Sequence, residues 1–310
     1  MLNMNPRLLY SLIFCFLLSG CIGAKRIIEP QLPFQAECFA ALIDNHFDTK
    51  EITYDPDERD DWKDDVDARI HFLAHAFELQ DDLQELIRLN RRGEDRDTQD
   101  ALRRRLLKAV DLTSLEVSAI ASGLDCEEEK SVQLADYLDR QIRNQERRLT
   151  VAAIITGAVV STGIGIAVLS GMEGTDPLLQ SIGLTAGLAE VYMGLKVLSL
   201  RRKIKVDHPI NIIQMVIEED NSKGIFSPAV WFYLNAPTPG MERSLREKLL
   251  ARWEAYGRYS DEDFQIFLGE KGEYTASMLE ARSGLLEQLS SQVFIMKQDI
   301  MLFMSFLHEF

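Results

Sequence analysis

Two imidazoles one helical turn apart are the strongest candidate for chemistry in this 310-residue sequence. His71 and His75 stand at i,i+4, Asp67 lies one turn before them, and Glu78 and Asp82 follow. On a helix, Asp67, His71 and His75 would share one face and supply three ligands for a transition metal. The zincin pattern is not met, because Phe72 stands where HExxH carries its general base. The competing reading is two histidines at the border of an amphipathic helix. Asp55-Pro56-Asp57 opens like a calcium loop. Arg59 and Asp60, however, occupy the positions of an oxygen ligand and the turn glycine, and Val66 replaces the bidentate Glu. Gly163-Ile164-Gly165 lacks both the third glycine and the preceding strand of a dinucleotide loop. GxSxG, P-loop and CxxC patterns are absent from the sequence. The expectation is a protein that is not an enzyme.

The first residues carry a different kind of information. Arg7 precedes the apolar run Leu8-Leu9-Tyr10-Ser11-Leu12-Ile13-Phe14-Cys15-Phe16-Leu17-Leu18, too short to span a bilayer comfortably and suited to a signal-peptide core. It ends in Leu18-Ser19-Gly20-Cys21. This stretch resembles the bacterial lipoprotein precursors, whose lipobox sets small residues before a cysteine. The resemblance implies cleavage after residue 20 and a diacylglycerol on Cys21; no cofactor is expected. Ile22 after the cysteine is compatible with an outer-membrane destination. The competing reading is an uncleaved anchor. Cleavage would discard Cys15 and commit Cys21 to lipid, leaving Cys38 and Cys126 in an oxidising compartment, where two thiols tend to pair. A loop near 90 residues closed by that disulfide would be worth about 4 kcal/mol by chain-entropy reasoning. Two buried unpaired thiols are the alternative.

Composition narrows the partners. Thirty-four basic residues face 49 acidic ones, a formal charge of −15, which argues against nucleic acid as a ligand. Loss of Arg7 with the signal would make it −16. Asp48–Asp67 alone contributes −7, from ten carboxylates against Lys50, Arg59 and Lys63.

The elements that must position these residues are helices. A helix is expected from about Pro33 to Phe47. A strong period from Val66 through Ile70, Leu73, Phe77, Leu79, Leu83, Leu86 and Ile87 follows and stops at Gly93. Further helices are expected over Thr98–Val110 and Leu112–Ser122, the latter closed by Gly123, and then one from near Glu127. Downstream, Asp207–Glu219, Met241–Tyr256 and Asp261–Leu268 read as helices, the last capped by Ser260 or Asp261. Phe226–Leu234 is the most aromatic segment and reads as core. A long final helix is expected over Tyr274–His308, with Leu279, Leu286, Leu289, Val293, Met296, Ile300, Phe303 and Leu307 as its apolar stripe. The fold class is all-α, an elongated helical bundle with a central apolar hairpin and a long C-terminal helix.

That hairpin is the second strong signal. Leu149–Gly171 holds no charged residue, and Leu178–Leu200 returns after a turn. This second stretch carries Glu190 and Lys196, each of which costs about 2.5–3.5 kcal/mol near the centre of an inserted helix. Each stretch of 23 residues makes about 34 Å of helix, enough for a bilayer. Small residues recur at Ala153, Gly157, Ser161 and Gly165, and again at Gly183, Gly187 and Gly194, a pattern that lets helix backbones approach closely. Arg140, Arg143, Arg147 and Arg148 precede the hairpin, and Arg201, Arg202, Lys203 and Lys205 follow it. By the positive-inside rule this collar belongs in the cytoplasm, whereas a lipoprotein N-terminus places it outside. The hairpin is therefore expected to dip into a membrane from the outer side with its collar on lipid phosphates, to form the buried spine of a soluble bundle, or to belong to a chain facing the cytoplasm.

The resulting layout is a signal peptide over 1–20, a lipidated tether over 21–32, a helical region over 33–148, the apolar hairpin over 149–200 and a second helical region over 201–310. The expected function is a non-enzymatic, lipid-anchored component of the cell envelope, sited at the outer membrane and facing the periplasm or the surface. Membrane lipid is its expected partner, with a second copy or another envelope protein beside it. A membrane-perturbing protein, similar in architecture to α-helical pore-forming toxins, is the alternative, and a metal enzyme at His71 and His75 is a third.

Overall fold

A computed structural model describes residues 27–28, 38–40, 42, 47, 50–54, 62, 66–93, 96–170, 177–257 and 259–310. The signal segment, Cys21, most of the expected 33–47 helix and the hairpin turn lie outside them. Among the described residues the protein is all-α, with nine helices and three short strands. The helices are α1 (Ala68–Ala76), α2 (Gln80–Arg92), α3 (Arg96–Leu169), α4 (Pro177–Leu198), α5 (Ile212–Glu218), α6 (Pro228–Asn235), α7 (Leu245–Tyr256), α8 (Asp261–Phe267) and α9 (Ala276–Leu307). The strands β1 (Ile27–Ile28), β2 (Lys203–Asp207) and β3 (Lys271–Tyr274) form one sheet in that order. β1 runs parallel to β2, with Ile27 opposite Lys203 and Ile28 opposite Ile204.

The chain divides into two compact units. One comprises Gln31–Gln133, Val206–Gly272 and Ser277–Phe310. Its spine is the α9 stripe, where all eight predicted positions from Leu279 to Leu307 are at most 3% exposed. The alternating steps of three and four keep that stripe on one helix face. Leu102, Leu106, Val110, Val117, Ile120 and Leu124 of α3 are buried in the same way. Three polar contacts tie α3 to α9 in antiparallel register: Arg282 to Ser131, Ser290 to Asp125, and Lys297 to Ser114. The other unit comprises Met1–Pro30, Leu134–Lys205 and Glu273–Ala276, and contains the hairpin.

Three expectations require correction. The helix expected to run unbroken from Val66 to Gly93 breaks between α1 and α2, where Glu78 adopts φ 54°. Phe77 and Leu79, only two residues apart, are both buried, and one continuous helix would point them to different sides. The helices expected to end at Val110 and Ser122 are instead parts of the 74-residue α3. Gly123 lies inside it and ends nothing. A Cβ there would collide with the Phe39 ring, so this glycine provides room for a neighbour, not a C-cap. Third, Lys203–Asp207 is a strand. Its alternation of half-buried Lys203, buried Ile204 and exposed Lys205 is a period of two, which the collar reading overlooked.

Cys38 and Cys126 form a disulfide, with Cα atoms 5.6 Å apart and a sequence separation of 88. Capping follows the sequence closely. Ser260 caps α8 and Ser244 caps α7, each in a reciprocal capping box. Pro228 opens α6 at a position where its missing N–H costs nothing.

Candidate functional site

The hairpin is built from the last part of α3 and from α4. Two contacts fix its register, Gly157 against Glu190 and Gly183 against Ile164. Seven residues separate the two positions on each helix, so the helices run antiparallel without slippage. The same register continues below the apolar stretch, where Arg202 donates to Gln145 Oε1 at 2.8 Å and to Gln141 Oε1 at 3.4 Å.

No described side chain between residues 149 and 200 is buried. Thirteen large apolar side chains there are at least 40% exposed, among them Ile154, Val159 and Ile166 on α3 and Leu184, Val191 and Leu195 on α4. An 18-residue window of α3 has mean hydropathy 2.1 and no buried residue, so this helix is long and apolar enough to cross a membrane. Within its own unit the hairpin is therefore not a buried spine. A helix apolar on all sides presents a surface that calls for cover. Three hydroxyls within it are satisfied locally: Thr156 donates to Ala152 O, Ser170 to Ile166 O and Thr185 to Ser181 O, at 2.7–2.9 Å. Such back-bonding removes the cost of a hydroxyl in hydrocarbon.

The small residues divide into two groups. Ala153, Gly157 and Gly183 are half-buried, whereas Ser161, Gly165, Gly187 and Gly194 are exposed. A Cβ added at Gly165, Gly187 or Gly194 would meet nothing within 4 Å. A ridge repeating every four residues turns by about 40° per step on a 3.6-residue helix, so Ser161 and Gly165 have rotated off the seam. Of the basic collar, Arg140, Arg147, Arg148 and Arg201 are exposed, Arg143 pairs with Asp139 at 3.4 Å, and Arg202 is held by the two glutamines. Lys203 and Lys205 lie on β2.

The histidine pair belongs to the other unit and is surrounded by rings. His71 is 1% exposed and packs against Trp62 at 4.6 Å and His75 at 4.7 Å. Tyr54 closes over His75 at 5.3 Å. Asp67 is engaged elsewhere, accepting from the Arg69 N–H at 2.8 Å as the α1 cap. Among the described residues no group of three His, Cys, Asp or Glu side chains is arranged to hold a metal ion.

Two buried polar arrangements escaped the sequence reading. Asp299, 3% exposed on α9, takes Arg69 at 2.6 Å on one oxygen and the Tyr233 hydroxyl at 2.6 Å on the other, tying α1 and α6 to α9. Burial, aided by the Asp299 carboxylate, holds the Tyr233 phenol above its ordinary range. His208 is 5% exposed, and burial with the nearby Arg282 and Lys130 cations pushes its pKa down to about 2. An imidazole kept neutral in the folded state disfavours folding once the unfolded chain protonates, so stability is full above about pH 6.5 and falls as pH drops towards 2. The expected slope is about 1.4 kcal/mol per pH unit for one proton. Urea midpoints at pH 7 and pH 5 should show this loss, and His208→Gln should flatten it. An unchanged slope in that variant would count against the assignment.

The chain matches no protein-family model, and no curated protein or solved structure is similar to it.

Proposed function

We propose that the protein is a lipid-anchored, non-enzymatic component of a bacterial cell envelope whose 149–200 hairpin enters a bilayer. One observation carries this reading: a two-helix hairpin in which no described residue is buried and thirteen large apolar side chains are turned outward. Lipid is the environment in which such a surface costs least. Both ends of the hairpin emerge on one side, as hairpin topology requires, and the exposed Arg140, Arg147, Arg148 and Arg201 lie where lipid phosphates would meet them. A lipobox-anchored Cys21 would bring the chain to the same surface from the outer face. The Cys38–Cys126 disulfide supports an oxidising compartment. Placed there, the remaining unit acts by binding other envelope components.

The test separates the two attachments. A Cys21→Ala variant removes the acyl anchor and leaves the hairpin. After carbonate and urea washing, this variant is expected to stay with the membrane fraction. Complete release into the supernatant would sink the inserted-hairpin reading. Labelling of wild-type protein with radiolabelled palmitate, abolished in Cys21→Ala, tests the anchor by itself.

A further inference from the structure

The larger unit carries an open groove of about 1220 Å³ whose lining includes Tyr54, Trp231, Phe232, Glu51, Glu219 and Asp220. Phe232 is buried and Tyr54 and Trp231 are half-buried, so they give the groove an aromatic floor. The three carboxylates are exposed. One wall is the turn from Pro237 to Gly240. It is fixed by two prolines, by a hydrogen bond from Met241 N–H to Thr238 O at 2.9 Å, and by Gly240 at φ 81°. That wall needs no ordering when a ligand arrives.

The charge on this lining is uneven. Lys50 is taken by Glu78 at 2.7 Å, and Glu219 by Arg246. Lys223, the nearest cation in sequence, donates to Pro209 O at 2.9 Å, and its charge acts on Asp220 only as a minor attraction without forming an ion pair. Glu51 and Asp220 have no ion-pair partner among the described residues. Hydrogen bonds from the Ser222 backbone N–H and hydroxyl hold the Asp220 carboxyl below the usual carboxylate range, so it remains charged. Lys50–Tyr54 also belongs to the Asp48–Asp67 stretch, the most acidic of the sequence at −7.

We infer that this groove binds an extended, arginine- or lysine-bearing segment of a partner polypeptide. Aromatic faces attract cations, and a planar guanidinium stacks on Trp or Tyr while its donors reach a carboxylate. Glu51 and Asp220 supply those carboxylates beside Trp231 and Tyr54. A volume above the usual small-molecule range, open to solvent, suits a length of chain better than a compact metabolite. Aromatic-lined grooves elsewhere take proline-rich extended peptides because a polyproline-like backbone arrives already ordered.

The probe is a fluorescein-labelled peptide of five Arg-Pro repeats, titrated by anisotropy with full-length protein in neutral detergent. Saturable binding is expected, and a Glu-Pro peptide of the same length should not bind. Glu51→Lys with Asp220→Lys, both exposed positions, is expected to weaken binding by about tenfold or more. Asp111→Lys with Glu262→Lys makes the same change in net charge outside the groove and is expected to stay within about twofold of wild type. Equal losses in the two double variants would overturn the inference, because attraction to the acidic protein as a whole would explain the binding. Equal binding of the Glu-Pro peptide would also overturn it, as would displacement of the Arg-Pro peptide by phosphatidylcholine presented in mixed micelles with the same detergent, which would assign the groove to lipid.

Discussion

Cys126→Ala is expected to lower the unfolding free energy of the disulfide-containing unit by about 4 kcal/mol, and reduction of the wild type should do the same. The bond closes a loop of 88 residues, and most of its effect is exerted on the unfolded chain, which loses conformations when its ends are joined. The folded state adds to this. Phe39, 3% exposed, sits next to Cys38 and packs into the space left by Gly123, one turn before Cys126 on α3. The bond and the ring therefore anchor the same segment to the same turn of helix. Cutting the bond frees that segment and weakens the seat of Phe39 without removing a core side chain. Urea denaturation followed by circular dichroism, with and without reductant, measures the difference. Coincident midpoints would show that chain connectivity at this point does not limit stability. The double variant Cys38→Ala, Cys126→Ala should match the single one, since only one link is lost.

What the sequence disclosed depended on whether a feature was local. The α9 stripe was legible from Leu279 to Leu307 because steps of three and four residues record one buried face directly. The hairpin was legible because a charge-free stretch of 23 residues has few soluble uses. Gly123 misled, since a glycine after a helical run looks the same whether it ends the helix or admits a ring from elsewhere. Only Phe39, 84 positions earlier, distinguishes the two cases. Lys203–Asp207 was readable in principle, because alternation marks a strand, but its two lysines also fitted a basic collar. Asp299 with Arg69 and Tyr233 had no local signal at all, its partners lying 230 and 66 residues away. The fate of the histidine pair was likewise decided by Trp62 and Tyr54, neither of which lies on their helix.

The same contrast between local and distant context makes Val159→Lys the sharpest test of where the hairpin resides. Val159 is 65% exposed near the middle of the apolar part of α3, and Val191 is 61% exposed on α4. On a hairpin standing in water, lysine at either position touches nothing new and should change stability by no more than about 0.5 kcal/mol. In a bilayer the same side chain lies far from both interfaces and costs about 2.5–3.5 kcal/mol on insertion scales. That corresponds to about a hundredfold drop in partition into vesicles for one substitution. Val159→Lys combined with Val191→Lys should abolish measurable partition of a Cys21→Ala protein. Leu112→Lys is the control, because Leu112 is 58% exposed on α3 outside the apolar window, and partition should be unchanged. Co-flotation with phosphatidylglycerol-containing liposomes reads all four proteins side by side. If Val159→Lys floats as well as its parent, the outward apolar surface is not a lipid surface. If Leu112→Lys falls equally, the charge acts through the protein as a whole. Loss confined to the hairpin positions would tie the membrane to the side chains that the structure turns outward.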